Sequence, residues 1–129
     1  MNYTIVNLNE WSRGSLFKFY IDKMRIVMSL TADVNVTNLR AYSKKNNLNF
    51  YPLMLWVVSK IINSHDEFKY SWDDAGNLIK WDFVSPSYTD FHADDENFVK
   101  MVTEYSDDLF EFCSRVDKDR QLHKNERAI

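Results

Sequence analysis

Glycine and proline are scarce in this sequence, two of each in 129 residues, which leaves no visible flexible linker and points to one domain. Cysteine occurs once, at Cys113, so no disulfide forms within the chain. Glu111 and Phe112 precede it and no cation is nearby to lower its pKa, so a buried structural thiol is expected rather than a nucleophile. An excess of positive charge is also missing. Sixteen Lys and Arg stand against 19 Asp and Glu, a net charge of −3, whereas phosphate binding needs clustered cations on one face. No nucleic-acid partner is expected. No apolar run reaches the roughly 20 residues of a spanning helix. The greasiest, "FYPLMLWVVSKIIN" from Phe50 to Asn63, meets Ser59 and Lys60 too early, so no membrane association is expected. The opening "MNYTIVNLNEW" lacks the basic and apolar regions of a secretory signal, which makes the cytoplasm the default compartment.

Aromatic residues are abundant at 16%, and their rings call for a core. Asn9 is placed to cap a short first helix carrying Trp11, Leu16, Phe17, Phe19 and Tyr20, although Gly14 weakens it. In "RIVMSLTADV", Ile26, Met28 and Leu30 alternate with Val27, Ser29 and Thr31, the period-2 pattern of a strand. Asn35 or Thr37 opens a polar helix through about Lys45, and Pro52 opens the apolar one, whose hydrophobic residues circle the helix and require partners on several sides. "FKYSW" and "LIKW" flank Asp73 to Asn77 as a hairpin. Another strand is expected from Phe98 to Tyr105, and "DDLFEFCSRV" reads as a helix with Leu109, Phe112 and Val116 on one face. The fold class is α+β, a mostly antiparallel sheet with helices packed on it. Residues 1–118 form the domain and 119–129 a polar tail.

Chemistry is sparse in the residues themselves. "DFHADDENF" around His92 matches no calcium loop and reads as a solvated acidic loop, so no metal site is expected. His65 and His123 read as surface histidines.

Several stretches together carry a family resemblance: "MNYTIVNLNEWSRGSLFKFY", "MSLTADVNVTNL", "NFYPLMLWVVSKIIN", "DEFKYSWDDAGNLIKWDFVSPSYTDFHADDENF" and "YSDDLFEF". In order and spacing they resemble type A chloramphenicol acetyltransferases, over roughly residues 1 to 118. The resemblance implies transfer of an acetyl group from acetyl-CoA to a hydroxyl of chloramphenicol, by a homotrimer with sites between subunits. It also implies a general-base histidine in a His-His-x-x-x-Asp-Gly motif and an oxyanion-stabilising serine, both in the family's second half. Neither His65, His92 nor His123 is followed by that motif, so no catalytic residue is assigned here. The chain is expected to correspond to the N-terminal half of such an enzyme, truncated and inactive alone. The alternative is a non-catalytic remnant, a binding or oligomerising module.

Residue by residue, the resemblance gives Tyr20 a place lining the antibiotic site, with Phe19 beside it, and gives Phe98 a place against the substrate. Read without it, such rings are packing residues. Met24, Ile26 and Met28 fall at apolar pocket positions. Lys100 departs from a small family residue near the antibiotic, which puts chloramphenicol itself in question as acceptor. Arg13 matches an arginine that pairs with the aspartate of the absent motif, so its guanidinium is expected to reach solvent or recruit another carboxylate.

Overall fold

The computed structural model describes residues 2–126 in the order β1 (Tyr3–Ile5), α1 (Gly14–Phe19), α2 (Thr37–Lys45), α3 (Phe50–Asn63), β2 (Tyr70–Trp72), β3 (Leu78–Trp81), β4 (Ser87–His92), β5 (Asn97–Val102) and α4 (Leu109–Leu122). A π turn, Tyr20–Met24, continues α1, and a 3-10 turn, Asp66–Phe68, joins α3 to β2. The class is α+β with antiparallel sheets. β3 is the centre of a three-stranded sheet ordered β1-β3-β2, and β4 and β5 form a separate hairpin.

α3 forms where its composition predicts. Pro52 sits in the first turn, where the missing N–H has no intrahelical acceptor, and is buried together with Leu53 and Ser59. The helix end is clamped by the Asn63 amide, which donates to the Val84 carbonyl at 2.9 Å and accepts from the Val84 N–H at 2.8 Å. α4 is capped by Asp108, whose carboxylate accepts from the Glu111 N–H at 2.7 Å, satisfying one of the donors left free in a first helical turn. Phe112 and Val116 of α4 meet Tyr88, Val99 and Met101 of the β4–β5 hairpin, with Leu55 and Trp56 of α3 packed against them. This is the principal core. In the other sheet, Asp73 accepts from the Asn77 N–H at 2.7 Å across the β2–β3 turn, and Gly76 takes φ +79°, which a side chain would resist.

Four expectations are corrected. Residues 25–34 form no strand: the π turn ends at Arg25 in the left-handed region, φ 44°, and the chain beyond is irregular and exposed up to Asn35. The apolar alternation is present, but no strand lies beside it. Asn9 does not cap α1, which starts at Gly14 after a turn over residues 7–11; its side chain instead accepts from Lys18 Nζ at 3.3 Å. The acidic stretch around His92 is the end of β4, its turn and the start of β5, because Tyr88, Asp90 and His92 alternate inward while the charges cluster in the turn. The last strand ends at Val102, short of Tyr105. β1 had no counterpart in the expectations. α4 runs on to Leu122, past the expected boundary at residue 118, and residues 127–129 of the expected tail lie outside the described residues.

Candidate functional site

The six substrate positions implied by resemblance fall on two separate parts of the fold. Phe19 ends α1 and Tyr20 opens the π turn, with their rings edge to face at 6.0 Å between centroids. Consecutive residues on a helical turn diverge, so this pair is presented rather than packed into the core, and both rings are about half exposed. Met24 closes the same turn, whose last backbone bond runs from the Arg25 N–H to the Tyr20 carbonyl at 2.9 Å. Ile26 and Met28 lie in the exposed stretch that follows. Phe98 belongs to β5, where Val99 and Met101 point into the core and Phe98, Lys100 and Val102 point out. It stands opposite Phe91 of β4, and Lys100 opposite Thr89. The structure thus brings Phe19, Tyr20 and Met24 together and puts Phe98 beside Lys100 on one outward face. Five cavities among the described residues are lined by other side chains.

Arg13 is exposed at the start of α1 and forms no ion pair with a described carboxylate. His65 is exposed beside the Phe68 ring, and His123 contacts Glu126 at 2.8 Å. Burial pushes the Cys113 thiol up to about 11, with Asp117 adding to the effect, so at neutral pH it is a packed apolar group and no nucleophile. Among the described residues no His, Cys, Asp or Glu group is arranged to hold a metal ion, and no helix is long and apolar enough to cross a membrane.

Two polar arrangements escaped the sequence. The Tyr88 hydroxyl, the Thr103 hydroxyl and the Asp119 carboxylate form a chain at 2.7 Å per step, and Arg120 pairs with Asp90 at 2.7 Å. Their only sequence signal is the alternation Tyr88, Asp90, His92, which the acidic turn obscures.

The fold is an α+β fold shared with a known one: the chain superposes on a solved chloramphenicol acetyltransferase with a TM-score of 0.84 at 20% identity, over 97% of this chain and 57% of that one. At that identity the likeness speaks for fold alone. The family is shown by sequence, because residues 1–129 match the chloramphenicol acetyltransferase family, and the chain belongs to it. Chloramphenicol acetyltransferase from Clostridium butyricum is 35% identical over 114 residues, 88% of this chain and 52% of the relative. Chloramphenicol acetyltransferase 2 from Escherichia coli is 36% identical over 114 residues, 88% and 53% respectively. The Vibrio anguillarum enzyme is 31% identical over 129 residues, all of this chain and 58% of that protein. The chain spans about half the length of these relatives.

Proposed function

We propose that these residues supply the acceptor-binding half of an acetyl-CoA-dependent acetyltransferase acting on chloramphenicol or a similar small hydroxylated acceptor, working in the cytoplasm as a homo-oligomer. The family match across all 129 residues carries this reading. Tyr20, with Phe19 beside it, and Phe98 offer the acceptor aromatic faces, and Met24, Ile26 and Met28 offer apolar contacts. The general base comes from outside this sequence, since no histidine here stands in the required motif. A base abstracts the acceptor hydroxyl proton as the oxygen attacks the thioester, and its loss costs about 10²–10⁴-fold in rate. Lys100, on the same outward face as Phe98, sets the acceptor's shape and charge.

A thiol-release assay with acetyl-CoA and chloramphenicol tests the assignment. The purified chain alone should run at background. Mixed with a polypeptide comprising the second half of the C. butyricum relative, it should turn over, and Tyr20→Ala should raise the acceptor KM. Turnover by the chain alone would overturn the statement about the base. Failure of every complementing half, with no chloramphenicol binding by equilibrium dialysis, would overturn the acceptor-site reading in favour of an oligomerising module.

A further inference from the structure

A cleft of about 420 Å³ opens on one face of the three-stranded sheet, bounded by Ile79, the Tyr3 and Trp81 rings and the β2–β3 turn. None of the positions discussed above as acceptor-binding lines it. Strand pairing sets this face. Tyr3 lies opposite Trp81 and Ser71 opposite Ile79, so these four side chains project the same way, and Asp73 follows Ser71 by one more alternation. Trp72 also borders the cleft but belongs to the other face, where its ring meets Phe17 at 6.0 Å, so it is not counted as a wall. The Tyr3 and Trp81 rings stand edge to face, 5.0 Å between centroids and 73° between planes, and so enclose a corner bounded by a face of each. Trp81 is fixed there by its indole N–H, which donates to Ser71 Oγ at 2.8 Å, and Tyr3 is half exposed.

Charge decides what the corner holds. The cleft carries the Asp73 and Asp74 carboxylates and no described cation. Lys69 and Lys80 of the same hairpin are both spent on Asp66, at 2.7 and 2.6 Å. Hydrogen bonds from the Asn77 side chain and backbone hold the Asp73 carboxyl below its usual range, so it is ionised at neutral pH. Asp74 is exposed and meets no described cation. An anion is therefore repelled. A calcium-like ion needs six or more oxygens, and two carboxylates beside aromatic rings do not supply them. A compact, strongly hydrated ammonium would have to shed water to touch the rings and Ile79. A methylated ammonium already has an apolar surface around its charge, is attracted to the negative faces of aromatic rings, and finds its counter-charge in the turn. We infer that the corner of Tyr3 and Trp81, with Asp73 and Asp74 at its mouth, is a binding site for a small organic cation of the methylated-ammonium class.

Nitrogen-resolved spectra of the indole N–H groups test this on the full chain, with Trp11 and Trp56 as internal references. Choline titrated into the millimolar range should shift the Trp81 signal saturably and leave those two in place, while sodium chloride at the same ionic strength should not. The neutral isostere 3,3-dimethyl-1-butanol, which has the same shape without the charge, should bind about tenfold more weakly. Asp74→Asn, in the exposed turn, should weaken choline about threefold and leave the isostere unchanged. Tyr3→Leu should weaken choline about threefold or more, with the Trp11 and Trp56 signals reporting an intact fold. The inference is overturned if choline moves no Trp81 signal, if sodium chloride moves it equally, if the isostere binds as tightly as choline, or if either variant binds choline as the parent does.

Discussion

Thr103 is a hydroxyl with no exposure, set between two groups that both need it. It has one proton, given to Asp119, so the Tyr88 hydroxyl donates to Thr103 and the relay runs in one direction from β4 to α4. Burial raises the Tyr88 pKa, which keeps the phenol a donor throughout the neutral range. Thr103→Val keeps the volume and removes the relay, leaving Tyr88 and Asp119 each short of a partner. The expected loss is about 1–3 kcal/mol, read as a lower urea midpoint, whereas Thr103→Ser should lie close to the parent. On the surface, Lys69 and Lys80 hold the Asp66 carboxyl down at about 2, from hydrogen bonds first and charge second. A carboxylate depressed on folding contributes stability above its unfolded value, about 3.9, and loses it as pH falls toward the folded one. The midpoint difference between the parent and Asp66→Asn should therefore be present at pH 7 and shrink between pH 4 and about 2. The group is exposed and salt should reduce the difference.

Among the elements, α1 depends on a close approach. A Cβ on Gly14 would lie 1.9 Å from the Leu8 carbonyl oxygen, a backbone atom that cannot swing aside. Gly14→Ala should force the turn at residues 7–11 away from the helix and cost about 1–3 kcal/mol, seen in the thermal midpoint and in Trp11 fluorescence, since that ring stacks on Tyr70 at 5.5 Å. Helix propensity marks this glycine only as a weak helix residue, because a chain contact is invisible to propensity. α2, α3 and the β2–β3 hairpin were legible, each carrying its own punctuation: the Asn35 carboxamide oxygen accepting from the Thr37 N–H, Pro52 in a first turn, and Asp73 to Asn77 as a turn. β1 was not legible: its three residues pair only with β3, far along the chain. Residues 25–34 failed for the opposite reason, since alternation says which side chains share a face and nothing about whether a neighbour is there to receive them. The candidate site shares that limit. Tyr20 and Phe98 entered through resemblance, and Asp90 with Arg120 became visible once β4 and α4 were side by side.

For the molecule as a whole, the uncovered apolar surface decides behaviour. Val27, Met28 and Leu30 are 94%, 85% and 87% exposed, and Tyr51, Val58 and Ile61 leave one side of α3 open as well. Among the described residues both sheets also end in unpaired edges. Such surface drives association. Sedimentation velocity should show species larger than a monomer that grow with concentration, and an apolar-surface dye should bind until charges are placed at Val27, Met28 and Leu30, when both effects should weaken. A sharp monomer that binds no dye would contradict this. The stretch from Ile26 to Val34, which engages in no described backbone hydrogen bond, also sets a thermodynamic toll on any such assembly. Immobilising a residue costs about 1–2 kcal/mol in conformational entropy, so docking this strap begins from a deficit on the order of ten kcal/mol. At roughly 25 cal/mol per Å², about 400 Å² of apolar contact does no more than cancel it. Affinity for whatever captures the strap will lag well behind the area covered, and prolines placed within it that match the captured backbone should tighten association without adding a single contact.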